Sequence, residues 1–141
     1  MKLLDVNVVL AASRDDHPHF EVARPYLDRL LAAGDRFSIT DLVAGAFLRL
    51  ATNRRIFLTP TPIEQAFGYL RALRAQPAHL LLGPGPAHLE LLERIATTAE
   101  ALGDLMPDAQ LAAVAVEHAC EIVSFDRDFA RFEEVRWSLP S

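Results

Sequence analysis

Short apolar runs that alternate with longer helical patterns constrain the fold of this chain more than any other feature. The runs "KLLDV", "RFSIT", "AHLLLGPG" and "EIVSF" lack strict polar alternation, which is typical of strands covered on both faces, and "VRW" adds a short fifth strand. Apolar residues recur at helical spacing between these runs. The order predicts an α/β fold: a three-layer α/β/α sandwich with a mainly parallel, four- to five-stranded sheet. A length of 141 residues predicts one domain spanning 1–141.

Two of the helical stretches carry recognisable end signals. Gly34 follows the apolar stripe that begins at Phe20, and glycine commonly ends a helix in this way. Thr61 precedes Pro62 and Glu64, which predicts a helix with Thr61 as N-cap, proline at its first position and a capping box.

Composition narrows the setting in which the protein works. A single cysteine, Cys120, excludes an internal disulfide and fits a reducing compartment. No apolar run approaches the roughly 20 residues of a membrane span, and Asp5 interrupts the only candidate for a signal peptide. We therefore expect a cytoplasmic protein that does not contact a membrane. The net charge of −5 argues against nucleic-acid binding through bulk attraction alone.

Aspartates stand where the predicted strands end. Asp5 ends the first run, Asp126 follows "EIVSF", and Asp108 begins the helix that leads into that run. Carboxyl ends of parallel strands share one edge of a sheet, and carboxylates gathered there repel unless a cation is supplied. Oxygen ligands suit Mg²⁺ or Mn²⁺, which can polarise a phosphate and activate water. The pattern predicts a divalent-metal phosphotransfer or phosphodiester site.

Helix capping and turn formation are the alternative explanations for individual acids. An aspartate near a helix start is stabilising by itself, which accounts for Asp41 and Asp104 without any catalysis. Asp126 belongs to "DRD", a tripeptide that suits a turn.

Several magnesium-dependent classes do not fit the chain. A dehalogenase-type phosphatase has a second acid where this chain has Asn7, and both that class and receiver domains need a lysine near the phosphate. Lys2 is the only lysine and precedes Asp5 on the same strand. A small Mg²⁺-dependent phosphatase is therefore the least favoured hypothesis. Phosphate-binding loops and nucleophile elbows are also excluded, since neither GxxxxGK[ST] nor GxSxG occurs.

Three stretches, in order, resemble PIN-domain ribonucleases and, more closely, the VapC-like toxins of bacterial toxin–antitoxin pairs. They are "LLDVNVVLAA", "AFLRLATNRRIF" and "PDAQLAAVAVEHACEIVSFDRDFARF", and the last is the most specific. The resemblance implies a PIN-like sandwich, an acidic pocket for Mg²⁺ or Mn²⁺, and endoribonuclease activity restrained by a cognate antitoxin. The implied partners are an RNA substrate and the antitoxin, in a homodimer or a toxin–antitoxin hetero-oligomer.

The resemblance also assigns roles to individual residues. Asp5, Asp108 and Asp126 correspond to the first, third and fourth acids of the family, and Asp5 and Asp108 to its usual direct metal ligands. Asn7 matches a polar position that orients the first acid, and Ser124 matches a supporting hydroxyl.

One customary acid is missing. The second acid of the family falls at Ala44, and Asp41, one helical turn earlier, is the candidate to replace it. If nothing replaces it, the chain is a catalytically weak or silent PIN module that binds RNA or protein.

Two further groups of side chains have both a functional and a structural explanation. Arg49, Arg54 and Arg55 are placed to meet RNA phosphates, or to stabilise the end of one helix. His17 and His19 in "DDHPHF" either bind a metal with their acidic neighbours or belong to a polar loop.

Overall fold

Four short strands form one sheet in the computed structural model, which describes residues 1–141. They are β1 (Lys2–Leu4), β2 (Phe37–Ser38), β3 (Glu121–Val123) and β4 (Arg136–Ser138). All three pairings are parallel, and the strand order is β2-β1-β3-β4. The first strand of the chain is therefore an inner strand of the sheet, next to a strand from the far end of the sequence.

Six α-helices connect the strands. They are α1 (Val6–Ser13), α2 (Phe20–Ala33), α3 (Asp41–Ala51), α4 (Ile63–Arg74), α5 (His88–Ala99) and α6 (Met106–Glu117). Short 3-10 helices span Gly103–Leu105 and Arg127–Arg131. None of these helices combines the length and the apolar character needed to cross a bilayer.

Helices cover both faces of the sheet, as the apolar runs predict. Consecutive residues of a strand point to opposite faces, yet Leu3 and Leu4 are both fully buried, as are Ile122 and Val123. The helices pack in two groups: α1 contacts α2 and α3, α3 contacts α4, and α5 contacts α6. The predicted α/β fold with a parallel, four-stranded sheet is confirmed.

Helix ends follow local side-chain and backbone chemistry. Asp5 is the N-cap of α1, and Thr40 caps α3 by accepting a hydrogen bond from the Val43 amide. Gly34 ends α2 with φ 69°, a left-handed conformation that glycine adopts without steric cost, so its predicted role is confirmed.

Two local predictions are wrong. The segment "AHLLLGPG" makes only one bridge, between His79 and Phe37, because it reaches the sheet beside a two-residue edge strand and its proline, Pro84, lacks an amide donor. Pro62, not Thr61, is the N-cap residue of α4, and no side chain caps that helix. The Thr61 hydroxyl instead accepts a hydrogen bond from Arg14 Nη1 at 3.0 Å.

Candidate metal centre

The acidic site lies where the strand order reverses. The chain passes from β1 to β2 on one side and from β3 to β4 on the other, so the crevice between β1 and β3 is a topological switch point. Ligands of parallel α/β sheets bind at such points, beyond the carboxyl ends of the strands. Asp5 directly follows β1 and Ser124 directly follows β3, which places both at this crevice.

Asp5 is a buried carboxylate held in a fixed orientation. Only 6% of the residue is exposed, and its Oδ1 accepts a hydrogen bond from the Val6 amide at 2.7 Å. Its Oδ2 accepts one from Ser124 Oγ, also at 2.7 Å, and Ser124 is fully buried. Burial raises the pKa of Asp5, while the bonds from Ser124 and Val6 lower it and the charge of Asp126 raises it. The pKa is raised overall, so burial outweighs the two hydrogen bonds.

Asn7 fastens the segment after β3 to α1. Its Nδ2 donates to Ser124 Oγ at 3.0 Å, and its Oδ1 accepts from the Phe125 amide at 3.1 Å. The Asp126 amide also donates to Ser124 Oγ, at 2.9 Å. Asn7 therefore supports Asp5 indirectly, by positioning the hydroxyl that donates to its carboxylate.

The negative charges of the other acids act on Asp108. It lies in the first turn of α6, and its pKa is raised to about 6. Burial is the largest cause, followed by the negative charges of Asp5, Asp126 and Asp128, while Arg131 lowers the pKa. The crevice therefore concentrates negative charge from four aspartates against one nearby arginine.

Asp128 and Arg131 are members of this cluster that the sequence alone did not reveal. Asp126 Oδ1 accepts a hydrogen bond from the Asp128 amide at 2.8 Å, so "DRD" does form a turn. That turn also carries a second acid to the site. The spacing of the two acids in "DRD" was the available signal.

The carboxylates suit a divalent cation that keeps part of its hydration shell. No three acidic, histidine or cysteine side chains are grouped closely enough to coordinate one ion together. Mg²⁺ usually takes one or two protein carboxylates and completes its octahedron with water and substrate oxygens. Asp5 and Asp108 supply that ligand type, and the raised pKa of Asp108 marks negative charge that a cation would relieve.

The charges of two other predicted site residues, Asp41 and Asp104, do not contribute to the pKa shifts of Asp5 or Asp108. Asp41 is exposed and forms an ion pair with Arg74 at 2.8 Å, while Ala44 lines an apolar groove between α3 and α4. Asp104 is exposed in the 3-10 helix before α6, and its charge is not among those that raise the pKa of Asp108. Asp41 lines the same groove as Ala44, with its carboxylate paired to Arg74.

The predicted RNA-contacting arginines are Arg49, in the last turn of α3, and Arg54 and Arg55, just beyond that helix. All three are exposed, and none of them forms an ion pair. None contributes to the pKa of Asp5 or Asp108. Arg131 is the cation whose charge reaches the acids.

Comparison with known proteins identifies the class of this fold and site. The PIN domain family matches residues 2–135, nearly the whole chain. The protein therefore belongs to the PIN domain family.

Within that family, its relatives include VapC ribonucleases of Mycobacterium tuberculosis. Ribonuclease VapC31 is 57% identical over 140 residues, covering 99% of each chain, and Ribonuclease VapC25 is 56% identical with the same coverage. Among solved structures, VapC20 of M. tuberculosis, described as a sarcin-ricin loop cleaving toxin, superposes with a TM-score of 0.69 at 18% identity, covering 96% of this chain and 99% of that one. VapBC2 from Rickettsia felis, bound to promoter DNA, superposes at 0.73 with 14% identity, covering 99% and 98%. These two structural matches support the fold.

Proposed function

We propose that this protein is a divalent-metal-dependent endoribonuclease that hydrolyses RNA phosphodiester bonds, with residues 1–141 acting as one PIN-like domain. The observation that carries the proposal is the acid cluster of Asp5, Asp108 and Asp126 in a chain 57% identical to a VapC ribonuclease over 99% of both lengths. We assign Asp5 and Asp108 as metal ligands, and Mg²⁺ or Mn²⁺ as the ion.

The side chains around the site have separate tasks in this mechanism. A bound divalent ion would polarise the scissile phosphate and lower the pKa of an attacking water. Ser124 and the Val6 amide fix the direction of the Asp5 carboxylate, which keeps it ready to bind without rearrangement. With a pKa of about 6, Asp108 is ionised at neutral pH and provides the charge that attracts the cation. Asp126 adds a further negative charge at the same edge.

The second candidate is a PIN module that binds RNA or protein with weak catalysis or none. Ala44 favours this candidate, because Asp41, the residue that could replace the missing acid, is paired with Arg74. Uptake of Mn²⁺ separates the two. An active nuclease binds Mn²⁺ in a way that Asp5→Asn abolishes, whereas a silent module shows no uptake that depends on Asp5.

The proposed partner is an antitoxin that restrains the nuclease in the cytoplasm. The structural relatives include toxin–antitoxin complexes such as VapBC-1 from nontypeable Haemophilus influenzae, which superposes with a TM-score of 0.68 at 16% identity. Large apolar side chains are exposed on this chain and are available to a protein partner or a second copy: Leu58 102%, Leu102 77%, Leu89 75%.

Cleavage of RNA by purified variants tests the proposal. Total RNA and a synthetic sarcin–ricin loop are incubated with the parent in Mg²⁺, Mn²⁺ or EDTA. We expect cleavage only with metal, and we expect Asp5→Asn and Asp108→Asn to abolish it. Asp104→Asn, an exposed change in a neighbouring turn, is the matched control and keeps the activity. Parent-like cleavage by a folded Asp5→Asn or Asp108→Asn variant would refute the site assignment.

A further inference from the structure

The loop that joins α1 to α2 carries two histidines to the rim of the acidic site. The His19 ring stacks on the Phe125 ring, with 4.3 Å between centroids and 10° between planes. Phe125 lies between Ser124, which donates to Asp5, and Asp126. The stacked pair is therefore attached to the segment that carries Asp126 and Ser124, the donor to Asp5.

The backbone amide of each residue in the stacked pair donates a hydrogen bond that holds it in place. The Phe125 amide donates to Asn7 Oδ1, which fixes that residue against α1. His17 Nδ1 accepts a hydrogen bond from the His19 amide at 3.0 Å, and the two histidine rings are 5.8 Å apart. Because His17 Nδ1 is an acceptor, the proton of the neutral ring lies on Nε2. This bond fixes the backbone of the loop at His19.

Helix capping does not explain the position of the His19 ring. His19 occupies the N-cap position of α2, yet its side chain makes no capping hydrogen bond. The residue is exposed, and one face of its ring is already covered by Phe125. A flat, exposed aromatic surface beside a phosphodiester site is the feature on which RNA-binding proteins stack unpaired bases.

The net charge of the chain makes a stacking surface more important for RNA affinity. The chain carries a net charge of −5, which argues against RNA affinity from bulk electrostatic attraction alone. Stacking on aromatic rings contributes affinity that does not require positive charge and tolerates any base. A stacking surface beside the acids would also orient the nucleotide whose phosphate is cleaved.

We propose that His19, supported by Phe125, forms a stacking platform for an unpaired RNA base next to the scissile phosphate. This inference rests on the proposed ribonuclease function. An unpaired base can reach the platform, whereas a base inside a continuous duplex cannot.

Fluorescence of 2-aminopurine tests the platform directly, since stacking quenches this base. The probes are 10-nucleotide single-stranded RNAs with 2-aminopurine at successive positions, bound to the Asp108→Asn protein so that no cleavage occurs. We expect quenching at one or two positions. Adding His19→Ala should remove the quenching and weaken affinity roughly 5- to 150-fold. His19→Phe, which keeps a ring without nitrogens, should retain both. Val22→Ala, an exposed change in the first turn of α2, is the control.

The outcomes separate this inference from the ribonuclease function. Control-like affinity and quenching in His19→Ala would overturn the platform, as would equal losses in His19→Ala and His19→Phe, which would indicate hydrogen bonding through the ring nitrogens. If the parent cleaves RNA while His19→Ala behaves like the control, only the platform fails. If the parent does not cleave but the His19 effects hold, only the nuclease function fails. Absence of RNA binding by the Asp108→Asn protein overturns the platform.

Discussion

Asp108→Asn should abolish activity and at the same time make the metal-free protein more stable. The substitution keeps the shape of the side chain and removes one charge from a crevice where Asp5, Asp126 and Asp128 already repel it. In a site that binds a cation, this repulsion destabilises the folded protein when the ion is absent. Stability and function are therefore expected to move in opposite directions at this residue.

The raised pKa of Asp108 sets the size of the effect. The rise from 3.8 to about 6 corresponds to ~3 kcal/mol against the ionised form. Asp108 is only partly buried, and screening by solvent reduces this to about 1–2 kcal/mol. For a chain of this size that difference shifts the melting temperature by about 2–8 °C. The sign follows from proton linkage: well below pH 4 both states hold the proton and no penalty exists. The penalty develops between about pH 4 and 6 and is complete above.

Thermal unfolding in EDTA, followed by circular dichroism, measures this difference. At pH 7.5 we expect Asp108→Asn to melt about 2–8 °C above the parent, and at pH 4 most of this gain should disappear. Mn²⁺ should raise the melting temperature of the parent more than that of the variant, because only the parent keeps both ligands. Asp104→Asn, an exposed change, should melt like the parent throughout. A variant that melts at or below the parent in EDTA at pH 7.5 would refute the claim that Asp108 is under electrostatic strain.

Two further substitutions test the supports of the site and of the loop beside it. Ser124→Ala removes the donor to Asp5 and leaves the Asn7 amide without its acceptor. We therefore expect the free energy of unfolding, measured in urea, to fall by about 1–3 kcal/mol and Mn²⁺ binding at pH 6.5 to weaken. Unchanged Mn²⁺ binding would contradict the role given to this hydroxyl. Arg14 donates hydrogen bonds to Thr61 Oγ1 and the Thr59 carbonyl, and it lies 3.8 Å from the centroid of the Phe57 ring. Arg14→Met should therefore accelerate amide hydrogen exchange in residues 53–62. Protection equal to that of the parent would show that the arginine does not hold this loop.

The position of the acids was predictable from the sequence because it depends on strand order. Asp5 and Asp126 directly follow apolar runs, and the carboxyl ends of parallel strands share an edge whatever the loops do. Asp128 was missed because, unlike Asp126, it does not directly follow an apolar run, and the turn formed by "DRD" is a sufficient explanation for it.

Contacts between distant parts of the chain could not be predicted. The spacing of Asp41 and Ala44 gives a shared helix face, but not the presence of Arg74, which lies 33 residues further along and pairs with Asp41. Thr61 is a favourable N-cap residue, but its hydroxyl accepts a hydrogen bond from Arg14, 47 residues before it. Local rules describe what a residue can do, and tertiary partners decide which of those interactions forms.

The inner position of β1 determines when activity can first appear during folding. Leu3 pairs with Ile122, and the Ser124 hydroxyl meets the Asp5 carboxylate across 119 positions of chain. Closing so long a loop is an entropic barrier, and folds rich in such contacts form slowly. A partly folded chain that has paired only β1 and β2 holds Asp5 but lacks Ser124 and Asp126. The nuclease is therefore inert until β3 is paired with β1, and a cut within residues 6–107 separates Asp5 from Asp108 and Asp126.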